Sequence, residues 1–384
     1  MGHPTGLADI LRRHGPAYRA THDLTPAQAK VWRAIVACRT AVLGGHVDTC
    51  DRCGTTRHLY HSCRNRHCPQ CQTRAKEAWL ARRRQELLPV PYFHLVFTLP
   101  HDLNRLIGLA PRALYEMLFG AVSATLTEFA ANPRWLGGAP AFSLVLHTWK
   151  QDLGRHVHLH ALMAGGALTA AGEWVASRRG FLFPVQALSR VFRGKFVAAL
   201  TAVRATPLGA ALEEAEWQTL LTRLHAHEWV VYAKQPLGGP AQVLEYLGRY
   251  THRVAISNER IVGVDEEEVR FRVRTPGHKG KRTVALAADR FIGRFLLHVL
   301  PRGFKRIRHY GILGPAAKGR CLPLAREALG APAPDPVVVE SVAQFMTRLE
   351  RQAWEACPCC GGRFVPTAGV APSPAPMPPL RGPP

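Results

Sequence analysis

The sequence predicts an α+β fold in which a β-sheet combined with helices is preceded by a small helical domain. Three observations support this prediction: short β-like runs alternate with helical runs along the middle of the chain, most cysteines cluster near its start, and prolines separate these regions. At 384 residues the chain is long enough for two or three domains of roughly 100 to 200 residues. The predicted parts are an N-terminal domain at 1–90, a larger domain at 91–315, a C-terminal segment at 316–365 and a disordered, proline-rich tail at 366–384.

Two helices are predicted in the N-terminal domain. The first begins after Thr25, a favourable capping residue, with Pro26 at its first helical position, and the pair Gly44-Gly45 is expected to end it. The second covers 74–88 and ends before the prolines that mark the domain boundary.

The larger domain is predicted from runs with strand and helix periodicity. The strands are expected at 92–99, 142–149, 156–164, 229–234, 260–264, 268–274 and 283–287. The helices are expected at 111–131, 185–204, 213–227 and 240–254.

The charge of the chain indicates a polyanionic partner. Lysine and arginine number 50 against 27 acidic residues, which gives a formal net charge of +23. No apolar run approaches the roughly 18 to 20 residues that a membrane-spanning helix needs, and the start of the sequence has no apolar signal-peptide core. We therefore expect a soluble, intracellular protein that does not bind membranes.

Two C-x-x-C pairs near the start predict a structural zinc site. Cys50 with Cys53 and Cys68 with Cys71 each place two thiolates on a short loop, and two such loops complete the tetrahedron that zinc prefers. A redox C-x-x-C motif is disfavoured because it normally occurs singly, on a thioredoxin-like βαβ pattern. The sequence therefore predicts one zinc ion bound by these four cysteines.

Other residues of the same stretch leave the ligand set open. Cys63, His61 and His67 lie between the two pairs and allow a different fourth ligand or a second ion.

The remaining cysteines have less certain roles in the sequence. Cys357 and Cys360 form half of a zinc-ribbon motif without an evident partner pair, so they bind an additional zinc with Cys321 and a histidine, or bind nothing. Cys38 lies in an apolar helical pattern and is expected to be a small core residue.

Arginines surround the first cysteine pairs, Arg64 and Arg66 among them. We predict that this region contacts the phosphates or bases of DNA. The alternative is a zinc site that only stabilises its domain, with the arginines solvated.

A row of histidines predicts a second metal site. Strand alternation places His156, His158 and His160 on one face, and His147 lies on the preceding strand. A two-residue loop would pair His147 with His158, and a four-residue loop would pair it with His160. Both registers bring His147 to the same face, so we predict a three-imidazole site for a divalent transition metal or magnesium. Such ligands also occur in metal-dependent hydrolases, so the row alone does not name a reaction.

Two tyrosines lie four residues apart in the helix predicted at 240–254. Tyr246 and Tyr250 belong to one helical stripe, which by itself indicates packing more often than catalysis.

The order of these motifs resembles that of the HUH endonucleases and, with the cysteine pairs, that of the insertion sequence 91 family of transposases. The resemblance extends over most of the chain and is most specific in the tyrosine segment. The similar segments are 62–71, 97–100, 156–160, 246–257 and 306–312. It implies an HUH-endonuclease-like antiparallel sheet with an RRM-like core, preceded by a small helical zinc-binding domain.

The resemblance also implies a function and its residues. Tyr246 and Tyr250 correspond to the paired nucleophiles, and His158 and His160 to the metal-binding histidine pair, with His147 as a third ligand and Mg²⁺ or Mn²⁺ as the catalytic ion. The implied reaction is transesterification of single-stranded DNA in rolling-circle transposition, through a 5′-phosphotyrosine. The implied partners are the single-stranded ends of a mobile element and its target DNA, in the bacterial cytoplasm at the nucleoid.

Further basic residues are expected to bind DNA. The strand at 268–274 has arginines on one face, and a basic turn follows it, which together suggest a channel for a displaced strand. The alternative is a half-buried strand with a solvated face. The candidate DNA-binding side chains are Arg249, Arg253, Lys279, Lys281 and Arg282.

Two other functions remain open at the level of the sequence. One is a catalytically inactive, zinc-dependent DNA-binding protein derived from such an element. The other is a histidine-metal hydrolase that attacks with water.

Overall fold

The computed structural model describes residues 6–178, 180–237, 242–243, 248, 255–275, 280–334, 336, 344 and 356–373, without the side chains of 72–75 and 235–237. The chain divides into two compact units. The cysteine unit is formed by Met1–Ala78, His252–Val299 and Val338–Pro384, and the histidine unit by Trp79–Thr251 and Leu300–Val337.

Helices and strands alternate along the described residues. The helices are α1 (Leu7–Arg13), α2 (Gly15–Thr21), α3 (Pro26–Ala37), α4 (Gln72–Arg84), α5 (Asn104–Leu109), α6 (Pro111–Ala131), α7 (Val185–Thr201), α8 (Pro207–Ala210), α9 (Glu214–Ala226), α10 (Ala288–Leu296) and α11 (Lys318–Ala328). The strands are β1 (Gly45–Cys50), β2 (Thr56–Tyr60), β3 (Tyr92–Thr98), β4 (Ala139–Trp149), β5 (Arg155–Leu168), β6 (Trp174–Ala176), β7 (Val231–Leu237), β8 (Ile261–Val264), β9 (Glu268–Arg274), β10 (Lys281–Ala287), β11 (Ile307–Gly311) and β12 (Phe364–Val370).

The histidine unit is built on an antiparallel sheet with strand order β11-β4-β5-β3-β7, and β6 pairs with β5. Its central strands β3, β4 and β5 lie where strand periodicity predicted them. Helices α6, α7 and α9 cover one face of this sheet. The arrangement confirms the predicted α+β fold class.

Alternation along the strands separates an apolar face from a histidine-bearing face. Phe97, Phe142 and Leu159 are fully buried against the helical layer, where Phe97 meets Phe192 edge to face at 5.3 Å. Burying each such side chain stabilises the unit by about 1.5 to 3 kcal/mol relative to exposure. Because neighbouring residues of a strand point to opposite faces, the histidines between these apolar residues lie on the other side of the sheet.

Helix α6 has the bounds that the sequence predicts. Leu114, Leu118, Val122 and Leu126 recur every four residues and form a buried stripe facing the sheet. Pro111 occupies the first turn, where its missing N–H costs no hydrogen bond.

A smaller core lies on the opposite face, at the end of the sheet away from the β4–β5 turn. Leu88, Tyr92, Leu162 and Val243 belong to it, and α11 contributes further apolar side chains. Cys321 packs against this core and belongs to no cysteine group, so its suggested role as a zinc ligand is wrong.

The cysteine unit begins with three helices followed by the hairpin β1–β2. Thr25 and Gln28 form the capping box of α3, which confirms the predicted start of this helix. The predicted end at Gly44-Gly45 is wrong, because the backbone leaves the helix at Cys38, which is extended (ψ 124°). Gly45 then begins β1, where any side chain would collide with the backbone of Leu59 in β2.

The third strand of this sheet comes from the far end of the sequence. β12 pairs antiparallel with β1, with Cys50 opposite Phe364 and Gly45 opposite Val370. The predicted disorder from residue 366 is therefore wrong for 366–370. Composition alone could not reveal this strand, because its stabilising partner lies more than 300 residues earlier in the sequence.

The segment 255–299 belongs to the cysteine unit rather than to the predicted domain at 91–315. Asn258 accepts a hydrogen bond from the backbone of Leu7 at 3.1 Å, and Gln28 donates one to the carbonyl of Leu296 at 3.2 Å. The strands β8, β9 and β10 of this segment form their own antiparallel sheet. Of the helix predicted at 240–254, only 242–243 and 248 are described, and they are helical.

Among the described residues, no helix is both long enough and apolar enough to cross a lipid bilayer.

Candidate active site and cysteine groups

Three of the predicted histidines come together on the open face of the β4–β5 pair. His147 lies opposite His158 in the antiparallel register, which is one of the two alignments expected from the sequence. A five-residue connection at 150–154 and a bulge after His147 produce this register, rather than a two-residue turn. The ligand atoms of His147, His158 and His160 all lie within 4.8 Å of one another.

Ring nitrogens converge at the centre of this histidine group. His160 Nε2 lies 3.0 Å from His147 Nδ1 and 3.2 Å from His158 Nε2. Nitrogens bound at about 2.1 Å in adjacent positions of an octahedral ion would be about 3.0 Å apart, so the spacing fits a metal site. A proton shared between two of these nitrogens accounts for only one of the two short distances, whereas a cation bound by all three nitrogens accounts for both.

Backbone and neighbouring rings orient these imidazoles. His158 donates its Nδ1–H to the carbonyl oxygen of His156 at 3.0 Å, which leaves the Nε2 lone pair of a neutral ring facing the group. Burial lowers the pKa of His158 to about 4, with His156 as a further cause, so the neutral form predominates at pH 7. Trp149 stacks on His147 with ring centroids 4.7 Å apart.

His94 is a neighbour of the group that the sequence analysis missed. Its Nε2 lies 2.8 Å from Nδ1 of His160, and burial lowers its pKa to about 3, with Lys234 as the second cause. A neutral His94 that accepts the Nδ1–H of His160 leaves His160 Nε2 as a lone pair toward the centre. The available signal was its position on β3, where it lies opposite Leu162 and therefore on the same face of the sheet as His158 and His160.

His156 does not belong to the group. Its Nδ1 lies 3.3 Å from Nε2 of His101, and the two rings meet edge to face. The predicted row of three imidazoles along β5 is therefore reduced to His158 and His160.

Both predicted nucleophiles, Tyr246 and Tyr250, lie outside the described residues, as do Arg249, Arg253 and Lys279.

The cysteines form two groups that differ from the predicted one. Cys38, Cys63, Cys68 and Cys71 make the first group, in which Cys71 Sγ lies 3.5 Å from Cys38 Sγ and 3.6 Å from Cys63 Sγ. Backbone N–H groups of Cys63 and Asn65 point at its sulfurs, at 3.5 Å each. The second group joins the predicted additional ligands to the first C-x-x-C pair: Cys50, Cys53, Cys357 and Cys360.

The β1–β2 hairpin explains why the two C-x-x-C pairs do not share a site. Cys50 and Cys53 lie at its turn, whereas Cys63 follows the end of β2. A five-residue strand spans about 16 Å, so the turn and the base of the hairpin cannot supply ligands to one ion. The prediction of one zinc bound by Cys50, Cys53, Cys68 and Cys71 is therefore wrong. Cys38 is buried as predicted, and it is also a member of the first group.

The local pKa values in these groups follow from hydrogen bonds to sulfur. A hydrogen bond from the Thr55 side chain lowers the pKa of Cys53 to about 6. Hydrogen bonding from Cys63 lowers the pKa of Cys38 to about 7. Hydrogen bonding with Cys38 raises the pKa of Cys63 and Cys68 instead. The zinc-binding chemistry therefore follows from the donor set, since each group brings four cysteine sulfurs together.

The predicted arginines near the first group differ in exposure. Arg64 is exposed and has a left-handed backbone (φ 52°). Arg66 is half-buried, and burial lowers its pKa.

The sheet of β8, β9 and β10 has a basic face. Val269, Phe271 and Val273 are buried while the arginines between them are exposed, as the alternation in the sequence predicts. Lys281 lies directly opposite Arg274 and shares its face, whereas Arg282 lies opposite Val273. The exposed face formed by Arg270, Arg272, Arg274 and Lys281 is called the basic face below.

Two family models match different parts of the chain. The model described as "Transposase zinc-binding domain" matches residues 10–99, and the model described as "Putative transposase" matches residues 141–320. The first range contains six cysteines, and the second contains the histidine group and both predicted tyrosines. Cys357 and Cys360 lie outside both.

Named relatives match almost the whole chain. A protein named "Putative transposase y4qJ" from Sinorhizobium fredii is 45% identical over 367 residues, which are 92% of this chain and 92% of that protein. The "Transposase for insertion sequence element IS801" from Pseudomonas savastanoi pv. phaseolicola is 27% identical over 348 residues, or 88% of this chain and 82% of that protein.

A solved structure, "Conjugative Relaxase TrwC in complex with mutant OriT Dna", is 15% identical over 64% of this chain and 75% of that chain, with a TM-score of 0.23. That score is too low to establish a shared fold. The evidence for kinship therefore comes from the sequence. Because a relative at 45% identity covers 92% of both chains and the zinc-binding domain model matches beside it, the chain belongs to the insertion sequence 91 family of transposases.

Proposed function

We propose that this transposase nicks and rejoins single-stranded DNA by tyrosine transesterification, at a divalent metal site formed by His147, His158 and His160. The observation that supports the proposal most directly is the convergence of three imidazole nitrogens at 3.0 and 3.2 Å. A second supporting observation is that Tyr246 and Tyr250 lie within the residues that the transposase family model matches.

The donor set favours particular ions. Among the described residues, the group consists of three imidazoles without a carboxylate. Imidazole suits transition metals, whereas Mg²⁺ prefers oxygen ligands. We therefore expect Mn²⁺ to support the reaction at lower concentrations than Mg²⁺.

The proposed reaction exchanges one phosphoester bond for another. The phenol oxygen of Tyr246 or Tyr250 attacks the scissile phosphorus, the bond to the 3′ oxygen breaks, and a 5′-phosphotyrosine and a free 3′-hydroxyl result. The phenol loses its proton and the departing 3′ oxygen gains one. The bond energy is retained, so a 3′-hydroxyl can reverse the step and rejoin DNA without ATP.

The residues of the histidine group prepare the site for this chemistry. When bound, a divalent cation supplies charge neutralisation and orientation at the scissile phosphate. His158 and His160 hold their Nε2 lone pairs toward the centre because their Nδ1 atoms are engaged by the carbonyl of His156 and by His94. Two tyrosines allow two successive covalent linkages, one for each cleaved strand.

The first test is the formation of a covalent adduct. Single-stranded oligonucleotides that carry the ends of the element, labelled at the 3′ end, are incubated with protein and Mn²⁺ or Mg²⁺ and separated on a denaturing gel. We expect labelled DNA to migrate with the protein, and a chelator to prevent this. Cleavage without any adduct would instead indicate a hydrolase, and neither cleavage nor adduct with any end sequence would indicate an inactive DNA-binding protein.

DNA binding is proposed to involve the basic face. Removing two positive charges through Arg272→Ser and Arg274→Ser should weaken binding of single-stranded DNA about 10-fold at low salt, because each phosphate contact releases a counterion. The slope of log K against log salt concentration should become shallower by about 1.4. Fluorescence anisotropy across a salt series measures both quantities.

The control for this experiment removes the same charge elsewhere. Arg190→Ser with Arg223→Ser changes α7 and α9, the helices on the sheet face opposite the histidine group. This variant should bind as the wild type does. Equal losses in both variants would mean that net charge, rather than the basic face, determines affinity.

A further inference from the structure

We infer that Cys50, Cys53, Cys357 and Cys360 form a second zinc site, so that the zinc-binding domain is completed by residues 356–373. Two of these ligands lie outside the matched range 10–99. The inference does not depend on the tyrosine chemistry proposed above. It rests on the matched geometry of two loops, on the positions of four sulfur atoms, and on the strand pairing that holds them.

The two loops have the same sequence pattern and the same backbone turn. Each is a Cys-x-x-Cys-Gly segment whose glycine is left-handed, with φ +72° at Gly54 and +69° at Gly361. In each, the glycine N–H donates to the carbonyl of the first cysteine, at 3.1 Å in one loop and 2.8 Å in the other. A left-handed residue at this position favours glycine, because other side chains are strained there.

A second pair of hydrogen bonds repeats in both loops. The backbone N–H of Cys50 donates to the carbonyl of Thr55 at 2.8 Å, and that of Cys357 donates to the carbonyl of Gly362 at 2.7 Å. In each case the bond joins the first cysteine to the residue five positions later. Two matching loops, each presenting two thiols, are the arrangement of a zinc ribbon.

The sulfur atoms are spaced for a metal and not for disulfides. Cys50 Sγ lies 3.5 Å from Cys360 Sγ, and Cys53 Sγ lies 3.6 Å from Cys357 Sγ. A disulfide requires about 2.05 Å, whereas two sulfurs of a zinc tetrahedron with about 2.3 Å bonds are about 3.8 Å apart. The four sulfurs all lie within 4.8 Å of one another.

Contacts between the loops hold this geometry. Asp51 and Arg363 exchange two hydrogen bonds, from Asp51 N to Arg363 O at 3.0 Å and from Arg363 N to Asp51 Oδ1 at 2.8 Å. A Cβ at Gly362 would lie 2.8 Å from Cys50 Sγ, so only glycine lets the second loop approach this closely. The contacts continue into β12, where the Arg57 guanidinium covers the Phe364 ring at 4.0 Å.

The other four clustered cysteines form the separate first group, so the inference predicts about two structural zinc ions per chain. Of the ten cysteines, only Cys321 and Cys359 belong to neither group. Cys359 provides an internal control, because it is exposed and lies between two proposed ligands.

Alkylation of the zinc-loaded, full-length wild-type protein tests the site without any substitution. Cys53, Cys359 and Cys360 are all exposed, so without a bound ion a thiol reagent can reach all three. We expect peptide mass spectrometry to show rapid modification of Cys359 and protection of Cys53 and Cys360. A chelator should remove that protection.

Other patterns of protection would overturn the inference. Modification rates of Cys53 and Cys360 that do not rise on chelation would mean that no ion is bound there. Protection of Cys53 together with rapid modification of Cys360 would indicate a site closed without the C-terminal pair.

Zinc content provides a second measurement. The double variant Cys357→Ser with Cys360→Ser should retain about one zinc ion less per chain than the wild type, whereas Cys359→Ser should retain all of it. The conservative variant Cys360→His should keep the ion, because imidazole also binds zinc. Zinc content unchanged in the double variant would overturn the inference, whatever the DNA-cleaving activity of the protein.

Discussion

A variant carrying Tyr246→Phe and Tyr250→Phe is expected to form no covalent adduct with single-stranded DNA. Phenylalanine keeps the ring and its packing but lacks the oxygen that becomes bonded to phosphorus. Adduct and cleavage products should both fall to background, which a denaturing gel with 3′-labelled DNA measures. This is the largest effect that we expect from any substitution in the chain.

The single variants serve as controls for this prediction. Tyr246→Phe and Tyr250→Phe should each retain the linkage made by the other tyrosine, so a loss confined to the double variant identifies both residues as nucleophiles. Cleavage that persists in the double variant at the wild-type rate would mean that water attacks the phosphate. The proposed transesterification would then be incorrect, and a metal-dependent hydrolase would take its place.

The second large effect is expected at the histidine group. His158→Ala should lower the rate of cleavage by at least about 100-fold at limiting Mn²⁺, because it removes a ligand at the position where charge develops. Its Nε2 lies 3.2 Å from that of His160, so the loss leaves only two imidazoles of the group. The rate of cleavage should fall, and a higher Mn²⁺ concentration should be needed to reach half of the maximal rate.

A neighbouring histidine provides the matched control. His156 lies two residues away on the same strand, and its ring meets those of His101 and His158, but it contributes no ligand atom to the group. His156→Ala should therefore cleave DNA at close to the wild-type rate, and thermal unfolding should verify that both variants are folded. Equal losses in the two variants would show that the effect comes from disturbing β5 and not from losing a ligand.

Elements with strong local periodicity were predictable from the sequence. Helix α6 begins at Pro111 and ends at Ala131 as predicted, because a four-residue apolar repeat and a proline at the first turn are local signals. The alternation of exposed arginines with buried apolar residues in β9 is also a local signal, and the sequence predicted it. His147, His158 and His160 could be grouped because a short connection between strands permits few registers.

Features that depend on distant partners could not be predicted. The strand β12 has a composition rich in small residues and proline, and it is ordered by pairing with β1. The grouping of cysteines failed for the same reason, since neighbouring pairs in the sequence lie at opposite ends of a hairpin. The number of cysteines was a usable signal, because ten thiols suit two tetrahedral sites better than one. Cys38, which lies apart from the other cysteines in the sequence, completes the first group.

The dependence of β1 on β12 has a consequence for the order of synthesis and folding. Residues 79–251, most of the histidine unit, are translated after β1 and before its partner strand. Closing a loop of about 300 residues costs only about 2 kcal/mol more than closing one of about 30, so the delay is a matter of timing more than of stability. Until residues 364–370 have left the ribosome, one edge of β1 remains unpaired and open to association with other strands. A chain truncated before Cys357 would keep every histidine of the group, yet it would leave Cys50 and Cys53 without their neighbouring sulfurs.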